Sequence, residues 1–174
     1  MSFVLPEVDP DDLAYRRRGA LYVPAGQGPT RWAVNDVYTI KALAAQTNGT
    51  IGFIEASVPP GGGPGPHMHP HEEETFYMLS GELEFLDGDH TFTAKPGDFV
   101  HVPRGTRHRF LNKGVHTAKM IFMFTPAGPE TVIADLAQPA VPGEMPPSRI
   151  EPDQLARFEE MNLRSRVVLL PDPS

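Results

Sequence analysis

The chain has 174 residues, 40% of them hydrophobic and 21% charged, which is enough apolar side chain for the core of one domain of ordinary size. Fifteen Lys and Arg against 22 Asp and Glu leave a formal net charge of −7, which argues against a broad nucleic-acid footprint. Cysteine is absent, so disulfides, thiolate nucleophiles and Cys-ligated zinc or iron–sulfur sites are excluded. No apolar run approaches the ~18 residues of a membrane span, and the N-terminus carries its charges after its apolar residues with no leader-like core. The expectation is a soluble cytoplasmic protein with neither a membrane nor a nucleic-acid partner.

In chain order, residues 1–19 read as an arm in which Asp9, Asp11 and Asp12 precede Arg16, Arg17 and Arg18, a solvated charge run. Strand signals begin at Ala20. Asp36–Ala42 and Thr50–Val58 are β-rich and separated by a turn at Asn48-Gly49. The stretch 59–66, PPGGGPGP, suits neither helix nor ladder. Strands are then expected at Thr75–Leu79, Glu82–Leu86, His90–Ala94, Asp98–Val102, Arg107–Asn112 and Thr117–Thr125. Glycine and proline turns divide them at intervals of about eight residues, the rhythm of a sandwich or barrel. After Pro126 the pattern turns helical, at Glu130–Gln138 and at Pro152–Leu163, the latter capped by Pro152 or Asp153. A proline-rich linker, Pro139–Pro147, lies between them, and Val167–Leu170 reads as a last strand or docked tail. The layout expected is an arm over 1–19, a β-barrel over 20–126 and a helical tail over 127–174 packed on the barrel.

The chemistry concentrates in PHMHPHEEET, Pro66–Thr75. On a strand, His67 and His69 face one side about 6.6 Å apart along the backbone, and two imidazoles so placed can converge on one cation. Glu74 lies at an odd offset from His69, and Pro70 is placed to break the ladder and restore its register. Downstream, GDFVHVPRGTRHRFLN (97–112) has a turn at Pro103–Gly105 feeding a strand that carries His108, which can supply a fourth ligand from across a barrel.

These two stretches match both halves of the cupin signature. Gly-x5-His-x-His-x4-Glu-x6-Gly is met at Gly61, His67, His69, Glu74 and Gly81, and Gly-x5-Pro-x-Gly-x2-His-x3-Asn at Gly97, Pro103, Gly105, His108 and Asn112. The chain thus resembles the cupin superfamily, and within it the single-domain bacterial quercetin 2,3-dioxygenase-like group, through RWAVNDVYTI (31–40), the run around the first motif and the tail ending in VVLLP. The resemblance implies an all-β double-stranded β-helix (jelly-roll) barrel holding one divalent transition metal ion (Fe, Mn, Ni, Co, Cu or Zn) on His67, His69, Glu74 and His108. In that group the metal binds a deprotonated flavonol, and the first-motif glutamate, here Glu74, is both ligand and base. Three imidazoles and a carboxylate suit those metals without choosing among them.

Other residues read more plainly. His90, His101 and His116 suit ordinary surface or core positions, and His71 a rim-exposed one. Phe76, Met78 and Phe110, with Phe53, Met120, Phe122 and Phe124, could line an apolar pocket or simply pack the barrel. Arg104, Arg107, Arg109 and Lys113 form a basic patch, read as solvated surface, with a dimer contact or an anion at the pocket mouth as alternatives. Three functions are compatible with these residues: a metal-dependent dioxygenase acting on a flavonol or another aromatic or enolic small molecule; a non-oxidative cyclase, isomerase or epimerase, with Tyr38, Glu55 or Tyr77 as added acid–base groups; or a small-molecule-binding cupin without turnover. Exposed sheet edges suggest a homodimer.

Overall fold

The computed structural model describes Asp9, Asp11 and residues 19–33, 35–147 and 152–172. The expected arm therefore lies outside the described residues apart from Asp9, Asp11 and Gly19, as do the side chains of Pro152 and Asp153, the expected helix cap.

Alternation of inward apolar and outward polar residues builds the strands. They are β1 (Thr30–Ala33), β2 (Asp36–Ala42), β3 (Gly52–Val58), β4 (His67–Met68), β5 (Glu73–Ser80), β6 (Leu83–Asp87), β7 (His90–Ala94), β8 (Phe99–Val102), β9 (His108–Leu111) and β10 (Ala118–Thr125). They are followed by helix α1 (Pro129–Leu136), β11 (Gln138–Pro139), helix α2 (Pro152–Arg164) and β12 (Val168–Leu169). Among the described residues these strands form two antiparallel sheets, in the orders β11-β1-β2-β3-β10-β5-β8 and β12-β4-β9-β6-β7. The all-β jelly-roll class with a short helical tail is the observed architecture. The chain between Ala20 and Pro29 is not strand, because Pro24, Gly26, Gly28 and Pro29 interrupt any ladder there.

The inward positions of β3, β5 and β10 (Ile54, Ala56, Phe76, Met78, Met120 and Phe122) form a core closed to solvent. The Phe76 ring sits at its centre, 5.1 Å from Phe85, 5.9 Å from Phe110 and 6.0 Å from Phe122 between centroids. Phe53 falls on the other parity and points to the outer surface with Glu55 and Ser57, so it lines no inner pocket. The first helix ends two residues earlier than its sequence suggests. Gln138 and Pro139 leave it to pair with Trp32 and Arg31 as β11.

Asn112 fastens the glycine–proline loop that delivers the first histidine. Its backbone exchanges hydrogen bonds with Gly61 and Gly62. Its buried side chain donates to the Val58 and His116 carbonyls at 2.7 and 2.8 Å and accepts from the Gly114 N–H at 2.9 Å. Asn112→Ala strands these groups inside the protein and is expected to lower stability by about 3 kcal/mol, read as a shift of the urea midpoint at unchanged slope.

Candidate metal centre

Four side chains from four places in the sequence meet inside the barrel. His67 opens β4, whose only partner residue in β9 is His108, so the two imidazoles are brought side by side by a backbone pairing. The chain bends at Pro70 and His71 and re-enters a strand at Glu73, which turns Glu74 inward between Phe124 on β10 and Val102 on β8. His69 lies at the start of that bend, its carbonyl accepting from the Gly105 N–H at 2.8 Å. Gly105 has φ +80°, a conformation open to glycine at little cost, and so the second-motif turn both seats His69 and starts the strand of His108. One potential ligand atom from each of His67, His69, Glu74 and His108 lies within 4.8 Å of the others, and all four residues are buried.

The hydrogen bonds orient these donors. His67 Nδ1–H donates to the Gly65 carbonyl at 2.9 Å and His108 Nδ1–H to the Thr106 carbonyl at 3.0 Å, which directs both Nε2 atoms toward the cluster, the arrangement usual for ligating histidines. His108 Nε2 donates to Glu74 Oε2 at 2.8 Å. The buried ring nitrogens of His69 make no hydrogen bond, Nε2 lying 3.4 Å from Glu74 Oε2. An unsatisfied buried imidazole facing a carboxylate and two oriented imidazoles is the donor set of a divalent transition-metal site, and the cluster could hold such an ion.

Burial pushes the His67 imidazole down to about 4, with His108 adding to the effect. Burial would raise Glu74, but the His108 and His69 imidazoles beside it hold it well below the usual carboxylate range. Burial likewise opposes a charge on His108, yet the Glu74 carboxylate keeps it above the ordinary histidine value.

The cluster opens on a cavity of about 100 Å³ whose walls include Phe110, Phe122 and Phe124 from the barrel, and Ile133, Phe158 and Met161 from the tail. Phe76, Met78 and Met120 pack beneath it as core. Of the sequence's acid–base candidates, Tyr38 lines the cavity, whereas Glu55 lies outside near Lys41 and Tyr77 is exposed. His71 is exposed and apart from the cluster. Most of the basic patch is paired: Arg104 with Glu73 at 2.9 Å, and Arg109 and Lys113 with Glu84, while Arg107 Nε donates to the Gly88 carbonyl.

Asp36 carries no motif signal, although its even offset from Tyr38 in DVYTIKA places the two on one face. It is a buried carboxyl on the cavity wall, accepting from the Tyr38 hydroxyl at 3.0 Å. Burial pushes it up to about 7, against hydrogen bonds from Tyr38 and the Gly63 backbone.

A model described as "Cupin domain" matches residues 54–124, and Polyketide synthase CurC of Streptomyces cyaneus is 33% identical over 118 residues, covering 65% of this chain and 75% of that one. The chain belongs to the cupin family. This cupin is also 28% identical over 115 residues to Quercetin 2,3-dioxygenase of Bacillus subtilis (strain 168), a match that takes in 66% of this chain but 34% of that longer protein. Among solved structures, a predicted oxalate decarboxylase of Thermotoga maritima shares the fold at a TM-score of 0.56 and 23% identity, covering 60% of this chain and 98% of that one. No helix among the described residues is long and apolar enough to cross a membrane.

The Asp36 shift carries a pH signature. An unfolded aspartate ionises near 3.8 and the folded one near 7, so between these values the native state holds the extra proton and stability falls as pH rises, by up to roughly 4 kcal/mol above pH 7. Asp36→Asn should match the wild type in denaturant midpoint below about pH 4 and exceed it by a margin that widens up to pH 8. A difference that does not change with pH would contradict the assignment.

Proposed function

We propose that His67, His69, Glu74 and His108 bind one divalent transition metal ion (Fe, Mn, Ni, Co, Cu or Zn), and that the protein is a quercetinase-like dioxygenase of flavonols or related aromatic or enolic small molecules. The observation that carries this reading is a buried three-histidine, one-carboxylate cluster at the end of an aromatic-walled cavity. The resemblance to quercetin 2,3-dioxygenase adds the substrate class.

An ion on this cluster supplies a Lewis acid that lowers the pKa of a hydroxyl lying beside a carbonyl. The chain's own residues then do three things. The Nδ1 bonds of His67 and His108 to Gly65 and Thr106 keep both imidazoles in one orientation. Glu74, held ionised by its histidine neighbours, accepts the substrate's hydroxyl proton on a carboxylate oxygen. Phe110, Phe122 and Phe124 exclude water that would compete for the anion.

A second reading, a non-oxidative cyclase, isomerase or epimerase, is favoured by the Asp36–Tyr38 pair on the same cavity wall and by the relative named as a polyketide synthase protein. Oxygen uptake separates the two. The wild type is expected to carry about one ion per chain, and the His67→Ala/His108→Ala double variant nearly none. Flavonols should drive O₂ consumption, and analogues without the hydroxyl should not. Glu74→Gln should cut turnover by about 10²–10⁴-fold while losing far less metal than the double variant. No O₂ uptake with any flavonol or catechol, under any of the redox-active metals, would leave the non-oxidative reading.

We propose also that the chain pairs as a homodimer. Strand β8 is an edge of its sheet, and its Phe99 lies opposite Tyr77 with both side chains exposed, Phe99 by 64%, the kind of apolar edge that a second copy covers. Light scattering across a concentration range of about a hundredfold should give twice the chain mass, and Phe99→Glu the monomer. A monomeric wild type throughout would overturn the proposal.

A further inference from the structure

The cavity beside the cluster, at about 100 Å³, falls below the ~300 Å³ at which small-molecule sites begin. A three-ring aromatic does not fit it as it stands. Its barrel walls, Phe110, Phe122 and Phe124, are buried in the core and have nowhere to go. Its tail wall differs. Phe158 and Met161 project from α2, both are half-buried, and both also line a second cavity of about 210 Å³. The two volumes share the Pro64–Gly65 loop as well. Together they reach the lower end of the usual range, and movement of a flexible methionine and one phenylalanine joins them without disturbing the barrel.

The second cavity contains an unexplained donor. Trp32 lines it, is 7% exposed, and its Nε1 has no hydrogen-bond partner. An indole N–H can only donate, and a buried donor left without an acceptor is destabilising. The first cavity holds a counterpart, the half-buried Asn162, whose buried Nδ2 is also without a partner. Unpaired donors at both ends call for a ligand with oxygen acceptors at both ends.

We infer that the two cavities form one elongated site, in which a ligand anchored at the cluster runs between the barrel and α2, moves Phe158 and Met161 aside, and sets a distal oxygen against Trp32 Nε1. The ligand class is a planar multi-ring aromatic oxygenated at its far end. This rests on the proposed anchoring of an enolic group at the metal centre, and the experiment separates the two.

Calorimetry of the metal-loaded protein without oxygen, with quercetin as the long probe and maltol as the one-ring probe carrying the same hydroxyl–carbonyl unit, reads each part. Trp32→Phe is expected to weaken quercetin about five- to tenfold and leave maltol unchanged, since it removes a single donor. Leu155→Trp, at a half-exposed position lining the second cavity, should weaken quercetin at least as much by filling the space. Unchanged quercetin affinity in both variants, or equal loss for both probes, overturns the elongated site and leaves the metal-centre reading standing. Binding of neither probe by the wild type overturns the anchoring and the elongated site with it.

Discussion

A hydrogen bond joins the two sheets across the inside of the barrel, from His108 Nε2 of β9 to Glu74 Oε2 of β5. Neither residue touches solvent appreciably, and a carboxylate out of water costs several kcal/mol unless its partner is held in good geometry. The surrounding structure supplies that geometry. Thr106 fixes the far side of the His108 ring, the His67–His108 pairing fixes its neighbour, and Gly105 fixes the backbone of His69. The polar interior is tolerated because the ring cluster around Phe76 packs directly below it, 6.4 Å from the His108 centroid. Stability comes from that aromatic layer, which offsets the cost of burying the polar cluster above it.

The tail is part of the site. Strand β12 adds to β4 beside His67, with Leu169 opposite His67 itself, and the Leu170 N–H donates to the Pro66 carbonyl. This covers an edge that would otherwise expose unpaired backbone next to the cluster. Helix α2 is tied to α1 and β11 through Arg164–Asp135 and Gln154–Gln138, so its apolar residues roof the cavity while its charged face meets water. The ladder is two residues long and the ties lie near the surface, whereas the barrel wall is continuous sheet. Of the cavity's two walls, the tail is thus the less continuous one.

The sequence made legible whatever depended on local pattern. The bounds of β2 follow from alternation and those of β7 from the turns that flank it, and the gathering of His67, His69, Glu74 and His108 is what the resemblance to the two cupin motifs implies. What it hid depended on partners. Strand β1 is four residues long and β11 only two, one a proline, and such segments become strands through what they pair with. Phe53, an aromatic beside the pocket-lining positions in sequence, shares its parity with Glu55 and Ser57 and so lies outside. Asp36 becomes a site residue only through the approach of the glycine loop, where a Cβ on Gly62 would press against its carboxylate. Nothing local in α2 says which cavity Phe158 and Met161 will wall.

The contrast between the two cavity carboxyls bears on the reaction. Glu74 is held ionised by imidazoles, while Asp36 is held partly protonated near neutrality by burial. One acceptor and one donor in the same small volume is the arrangement by which a single site runs both halves of acid–base chemistry at one pH. Removing a flavonol's proton needs only the acceptor. Closing or isomerising a ring needs an acceptor at one carbon and a donor at an oxygen, and Tyr38, whose hydroxyl is bonded to Asp36 on the cavity wall, is the group through which that donor would act. Because Tyr38 and Asp36 lie on β2 and the cluster on β4, the bend that follows it, β5 and β9, substitution of one set leaves the backbone of the other in place. An oxygenase would keep most of its turnover without Tyr38, and an enzyme of the second kind would lose nearly all of it while retaining its metal.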